Sequence, residues 1–398
     1  MKYQGAVLKI LLQTLGVGLL LCGACSPRTT DPSVDAQQGQ SVAEAMSAPA
    51  DQGFARALAP RAFVFPQDDG PHLDFQTEWW YYTGNLQDAQ NPQQNYGYQL
   101  TIFRRALQSD MPERTSDWAS RQVYFAHFAF SDIPRQRFFA SQRLSRGAAG
   151  LAGATDQRVW IEDWQIQRTA EGFRLQAEDD ALRLDLTVQS QKPEVLQGQQ
   201  GLSPKSSQPG NASYYYSRTR LDTRGTLTWK PESNTAPTVP LALTGLSWLD
   251  REWSTSALAP EQVGWDWFSL QLDDQRELML YQLRRQDGTV DPVSSGTLIA
   301  ADGRTTPLQA TDFRIVPLEH WTSPQTGIRY PSQWRLQVPA QQLDLTVTPR
   351  QADQELRLDF TYWEGAVTLK GQAGKQPLTG QGYVELTGYG DRTQRAPR

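Results

Sequence analysis

RLQAEDDALRLDLTV at residues 174–188 and RLQVPAQQLDLTV at residues 335–347 begin alike and end alike. In the first copy Leu182, Leu184, Leu186 and Val188 alternate with Arg183, Asp185, Thr187 and Gln189. A period of two with one apolar face is the pattern of a half-buried antiparallel strand. Leu356, Leu358, Phe360 and Tyr362 alternate in the same way with Arg357, Asp359, Thr361 and Trp363. Working outward, the flanking segments repeat in order: YQLTIFRR (98–105) with LMLYQLRR (278–285), YYYSRTR (214–220) with TYWEGAV (361–367), and LTGLSWLDREW (243–253) with LTGQGYVELTGY (378–389). Four matched pairs in one order predict two homologous β-domains joined near Ser254–Val263. Gly, Pro, Asn and Asp mark the breaks, and the segments at 204–213 and 231–240 read as loops. Helical pattern is confined to Ser116–Arg121 and to Arg135–Ala149. The fold class is therefore all-β, two tandem β-barrel domains over 61–256 and 257–396 with few short helices. A barrel of about eight strands closes its own edges around packed side chains or one small ligand.

The remaining chain reads as targeting and tether. MKYQGAVLK carries two lysines and no acid, and ILLQTLGVGLLLCGAC follows, too short for a span and ending in small residues. The chain has two cysteines, Cys22 and Cys25, both in this segment, and Gly23-Ala24-Cys25 resembles a bacterial lipobox. The expectation is a lipoprotein signal peptide over 1–25, lipidation at Cys25 and a place in the envelope, on the outer membrane facing the periplasm. Residues 26–60, rich in Ala, Gln, Ser and Pro, read as a flexible tether. The formal net charge of −5 with no basic stripe argues against nucleic acid as a partner.

No Walker A loop, dinucleotide-binding glycine motif, nucleophile elbow or H-E-x-x-H occurs, and the three histidines, His72, His127 and His320, are scattered. Neither a metal nor a cofactor is expected. Candidate chemistry lies in polar residues that share parity with apolar rows. In LTGLSWLDREW, Asp250 and Glu252 share a face with Leu246 and Trp248, while Arg251 points the other way with Leu249 and Trp253. In HLDFQTEWWYYTGNL (72–86), Glu78 shares a face with Trp80 and Tyr82, opposite Trp79 and Tyr81. Glu364 continues the row of Leu358, Phe360 and Tyr362, and His127 aligns with Val123, Phe125 and Ala129. A carboxylate on an apolar face must be paired or have a raised pKa, and the second makes a general acid at neutral pH. An ion pair closing a barrel accounts equally well for Asp250, Arg251 and Glu252, as a satisfied core histidine does for His127.

FPQDDGPHLDFQTEWWYYTGNL, VYFAHFAFSD, GLSWLDREWS, GWDWFSLQLDDQRELMLYQLRRQDG, YWEGAVTLKG and GQGYVELTGY together resemble the AttH-like family, which includes the carotenoid 1,2-hydratases (hydroxyneurosporene synthases), over residues 63–392. The pattern is nearest to the branch whose members are termed secreted hydrolases. The resemblance implies two consecutive lipocalin-like, calycin-like barrels. Its hydratase branch protonates the end of an acyclic polyene and adds water to the cation. That branch uses an acidic residue with His, Trp and Tyr neighbours; Asp250 is the nearest counterpart, flanked by Arg251 rather than a histidine.

Three functions follow as expectations. One is a lipid-anchored protein holding an apolar or amphipathic molecule in an aromatic cavity. Another is an acid–base enzyme, hydratase or hydrolase, acting on an apolar, isoprenoid-like substrate. The third is an envelope scaffold for assembly or for an ABC transporter. The residues expected to carry catalysis are Asp250, Glu252, Glu364, Glu78 and His127. Those expected to bind ligand are Trp79, Trp80, Tyr82, Trp248, Trp265, Trp267 and Tyr362.

Overall fold

The computed structural model describes residues 53–110, 116, 119–230, 239–255 and 258–390. The expected signal peptide, Cys25 and most of the expected tether lie outside the described residues. Of the helix expected at Ser116–Arg121, residues 117–118 lie outside them and the other four are not helical. The last residues assigned to the tether lie on the body of the protein: Ala57 is buried, and the carbonyl of Ala59 accepts the Tyr214 hydroxyl at 2.9 Å.

The first sheet is built from β1 (Thr77–Asp88), β2 (Asn95–Ala106), β3 (Gln122–Asp132), β4 (Arg137–Arg146), β5 (Ala152–Ala154), β6 (Arg158–Ile161), β7 (Trp164–Arg168), β8 (Phe173–Glu178), β9 (Leu182–Ser190), β10 (Val195–Leu196), β11 (Leu202–Pro204), β12 (Ala212–Trp229) and β13 (Leu241–Ser254). The second is built from β14 (Gln262–Leu272), β15 (Glu277–Arg285), β16 (Ser295–Ile299), β17 (Thr305–Gln309), β18 (Arg314–Thr322), β19 (Arg329–Val338), β20 (Leu343–Pro349), β21 (Glu355–Arg357), β22 (Thr361–Ala373) and β23 (Gln376–Leu386). Both sheets are antiparallel and curl into barrels, giving the all-β, tandem lipocalin-like architecture. Helix among the described residues is limited to three 3₁₀ turns.

The repeat is visible in the topology. The order β4-β3-β2-β1-β13-β12-β9-β8-β7 of the first sheet matches β17-β16-β15-β14-β23-β22-β20-β19-β18 of the second. The RLQ…LDLTV motif is a hairpin in each barrel. Arg174 forks onto Asp185 across β8 and β9, at 2.8 and 2.6 Å, and Arg335 forks onto Asp344 across β19 and β20, at 2.9 and 2.6 Å. Gln176 and Gln337 donate to the same two aspartates.

The helix expected over Arg135–Ala149 is instead β4. This strand ends the sheet and both its faces are half exposed, so neither face is consistently apolar and the period of two is lost. Side chains close the seam beside it: Arg143 reaches Glu162 at 3.2 Å and lies over the Trp164 ring.

Each barrel has its own core, and a third cluster fills the space between them. Trp80, Tyr82, Leu249 and Trp253 belong to the first core, and Phe268, Trp334, Trp363 and Val384 to the second. Tyr81, Tyr215 and Trp248 of the first barrel pack with Trp267, Ala366 and Tyr383 of the second. Successive residues of a strand point to opposite faces, so β1 sends Trp80 and Tyr82 into its own barrel and Trp79 and Tyr81 toward the other. Polar links also cross the junction. Glu277, fully buried, takes Lys192 at 2.7 Å and Arg220 at 2.5 Å.

Candidate functional site

The face shared by the barrels holds a cavity of about 100 Å³. Its walls are Trp79, Tyr81, Phe103, Tyr215, Trp265, Trp267 and Tyr281, with Lys205, Asp250, Glu252, Ser254, Leu258 and Glu385 among them. Trp267 meets Tyr81 edge to face at 5.1 Å, and Trp248 at 6.4 Å.

The repeat supplies the acids in pairs. Asp250 on β13 and Glu385 on β23 occupy the same place in LTGLSWLD and LTGQGYVE. Asp250 stands opposite Tyr81 on β1 and opposite Ser217 on β12. Glu385 stands opposite Trp267 on β14 and opposite Glu364 on β22.

Asp250 accepts three hydrogen bonds. Tyr215 donates to Oδ2 at 2.5 Å, Ser217 to Oδ1 at 2.5 Å and the Trp248 indole to Oδ1 at 2.7 Å. The Trp267 indole donates in turn to the Tyr215 hydroxyl at 3.2 Å. Burial drives the Asp250 carboxyl up; the three donors pull it back and the charge of Glu252 adds to the rise, leaving a pKa of about 7. Burial raises Glu385 to about 8, against the Trp265 indole that bonds it and with the charges of Asp250 and Glu252. Glu364, directly behind, is pushed well above the usual carboxylate range by burial and by Glu385. Tyr81 donates to Glu364 Oε1 at 2.5 Å. Glu252 is held by Lys205 at 2.8 Å, and the lysine ammonium sits 4.5 Å over the Tyr281 ring.

Near neutral pH this aromatic-walled cavity therefore holds a proton on Glu385, with Asp250 close to its midpoint. Such a group can give a proton to a substrate, and the ring faces can steady the cation that results. Among the described residues no group of three metal-ligating side chains comes together.

A family model described as AttH-like matches residues 56–389. The chain belongs to the AttH-like family. A crystal structure from Nitrosomonas europaea, provisionally assigned as AttH, is 34% identical to this AttH-like chain, covers 86% of it and 99% of its own length, and superposes with a TM-score of 0.73. Kievitone hydratase from Nectria haematococca has the same fold at 17% identity and a TM-score of 0.62, over 85% of this chain and 97% of its own. No curated protein matches the chain significantly.

Of the residues singled out from sequence, the fold brings Asp250, Glu252, Trp79, Trp265 and Trp267 to the cavity wall. Trp248, Glu364 and Tyr362 stand just behind it, fully buried. His127 is one step further back, its Nδ1 2.8 Å from the Tyr362 hydroxyl, and burial lowers its pKa to about 4, so the ring is neutral.

Glu78, Trp80 and Tyr82 are elsewhere, in the first barrel's interior. Glu78 is paired with Arg104 and with Arg251, the latter at 2.5 Å, and the Arg251 guanidinium lies 3.9 Å over the Trp80 ring. Burial opposes the Glu78 charge, but the two arginines hold its carboxyl well below the usual range. Glu78 is thus a permanent anion and no proton donor. The same parity puts Arg251 with Glu78 and separates it from Asp250 and Glu252.

Sequence reasoning missed Tyr81, Tyr215, Glu385, Tyr281 and Lys205. Glu385 was available from the repeat, at the position that matches Asp250. Lys205 directly follows β11, in a stretch with no periodic signal.

Proposed function

We propose that this AttH-like protein is an acid–base enzyme of hydratase type, acting on an apolar, isoprenoid-like substrate with a carbon–carbon double bond. The observation that carries the reading is the pair Asp250 and Glu385, two acids with pKa values of about 7 and about 8 in one aromatic cavity. Where environments separate two acids, the higher one is the donor and the lower one the base. Glu385 gives its proton to one alkene carbon, and a cation forms at the other over the faces of Trp79, Trp265 and Trp267. Asp250, whose anion is steadied by Tyr215, Ser217 and Trp248, takes a proton from water as its oxygen bonds to the cation. The sum is addition of water, with one proton moved from donor to base, to be returned through solvent. A neighbour of the same fold is a hydratase by name, which agrees with this class of reaction.

The cavity size supports entry of one end of a substrate. By the measure in which one water needs about 10–15 Å³, about 100 Å³ holds several waters or one end of a longer molecule. Drug-sized molecules fill about 300–1,000 Å³, so a carrier enclosing a whole apolar molecule is less well supported.

The test is incubation of the purified chain with acyclic isoprenoid alkenes in ¹⁸O-labelled water. The expected product is a labelled tertiary alcohol, absent with Glu385→Gln and with Asp250→Asn. Failure of every alkene in a panel of chain lengths, with a folded protein, overturns the reading.

We further propose that the chain is a lipoprotein of the bacterial envelope, anchored at Cys25; this rests on the sequence of residues 1–25. Incorporation of an alkyne-tagged fatty acid, lost in Cys25→Ser, is the expected result, and equal labelling of the two refutes it.

A further inference from the structure

The two barrels treat their acids in matched ways, with one difference. Opposite Asp250, the matched strand β12 places Ser217, which donates to the carboxylate at 2.5 Å. Opposite Glu385, the matched strand β22 places Glu364. Residues directly opposite on antiparallel strands have Cβ atoms about 4.5–5.5 Å apart, within reach of each other's side chains. Glu364 is 1% exposed. Tyr81 holds its Oε1, while Oε2 has no partner of hydrogen-bond geometry. Tyr362 also bonds the same carboxyl, and its hydroxyl oxygen lies 2.8 Å from His127 Nδ1.

A buried carboxylate oxygen without a donor is costly, whereas a carboxylic acid with its proton on that oxygen has a donor to offer. Among the described residues, the groups facing Glu364 include no cation. They are Tyr81 from β1, Tyr362 on its own strand, and Tyr383 and Glu385 from β23, with neutral His127 behind Tyr362. Around Glu385 stand Trp265 and Trp267 of β14, Tyr281 of β15, Tyr81 of β1, and Asp250 and Glu252 of β13.

We propose that Glu364 is a permanently neutral carboxylic acid that donates a hydrogen bond from Oε2 to Glu385, the part Ser217 plays for Asp250. It is a positioning residue: it steadies the anion left when Glu385 gives up its proton. The inference rests on the catalytic reading of Glu385 for its purpose, but not for its geometry.

The test reads protonation, not turnover. Difference infrared spectra of the full chain with ¹³C-labelled glutamate follow the protonated carboxyl band across pH, with Glu385→Gln and Glu364→Gln assigning the two signals. The expected result is one glutamic acid that stays protonated well above pH 8 and disappears in Glu364→Gln. Glu385 should titrate at a pH about one higher in Glu364→Leu, which has no donor, because a hydrogen bond to a charged group is lost. In Glu364→Gln, whose amide still donates, it should stay near its wild-type value. A Glu364 ionised at neutral pH, or a Glu385 titration unmoved in Glu364→Leu while that variant is folded by circular dichroism, overturns the proposal. If Glu364→Leu does not fold, a Glu385 titration displaced upward in Glu364→Gln overturns it. A dyad that titrates as expected in a protein that hydrates nothing refutes the reaction and leaves the dyad standing.

Discussion

Replacing Asp250 by asparagine should make the protein less sensitive to alkaline pH. An exposed aspartate has a pKa of 3.8, and burial moves Asp250 to about 7. The folded protein thus holds this proton more tightly than the unfolded chain. The resulting stability is complete below about pH 4 and is lost as the pH rises toward 7. At about 1.36 kcal/mol for each pH step of one, the whole rise corresponds to about 4 kcal/mol, of which about 3 kcal/mol falls between pH 5 and pH 9. Asparagine cannot ionise, so Asp250→Asn lacks this loss. It presents an amide N–H₂ where Tyr215 now donates, a cost that is the same at every pH and cancels when differences are compared. Charge removal beside Glu385 adds in the same direction, since the Asp250 anion is one cause of that group's rise. The assay is urea unfolding followed by tryptophan fluorescence, wild type minus variant, in steps from pH 5 to pH 9. The expected result is a difference that moves by about 3 kcal/mol in favour of the variant as pH rises. A difference flat to within about 1 kcal/mol refutes the reasoning, because Asp250 would then ionise as an exposed acid does.

Glu78→Gln should cost about 3–5 kcal/mol, because two buried arginines lose their counter-charge, and should leave the titration of Asp250 in place; urea melts and infrared titration measure both. Because the Glu78 carboxyl is held below its unfolded value, its contribution is present above about pH 4.5 and is lost on acidification; a melt in acid should show the variant and the wild type converging. For turnover, kcat/KM should form a narrow bell, falling below about pH 7 as Asp250 gains a proton and above about pH 8 as Glu385 loses one. A rate that keeps rising past pH 9 contradicts those roles. Glu277→Gln, which strands Lys192 and Arg220 at the junction, should lower stability by about 3 kcal/mol in urea melts; an unchanged midpoint argues against that link.

The sequence shows the barrels clearly because their strands are half-buried, and one-sided burial writes a period of two. It also separates the two faces of β13 correctly, Asp250 and Glu252 from Arg251. It fails for β4, where neither face is consistently buried. It also fails for Glu78, since parity groups residues on a face without saying which face meets the other barrel. Asp250 on an apolar row and Glu78 on another look alike in sequence. What separates an acid with a raised pKa from a fixed anion is whether arginines arrive from distant strands, as Arg104 and Arg251 do for Glu78. The cavity itself is a contact between matched strands far apart in the chain, and only Glu385 left a trace of it in the repeat.

Two identical barrels meeting about a two-fold axis would be bound by symmetry to put the same acid on both walls of their cleft. Identical acids start with one shared affinity for protons, and nothing but mutual repulsion separates them. One chain carrying both barrels is free of that constraint. Its walls differ at three matched positions: Asp250 corresponds to Glu385, Tyr81 to Trp267, and Ser217 to Glu364. Covalent linkage therefore permits asymmetry: the two walls of one cleft can hold their protons with different strength.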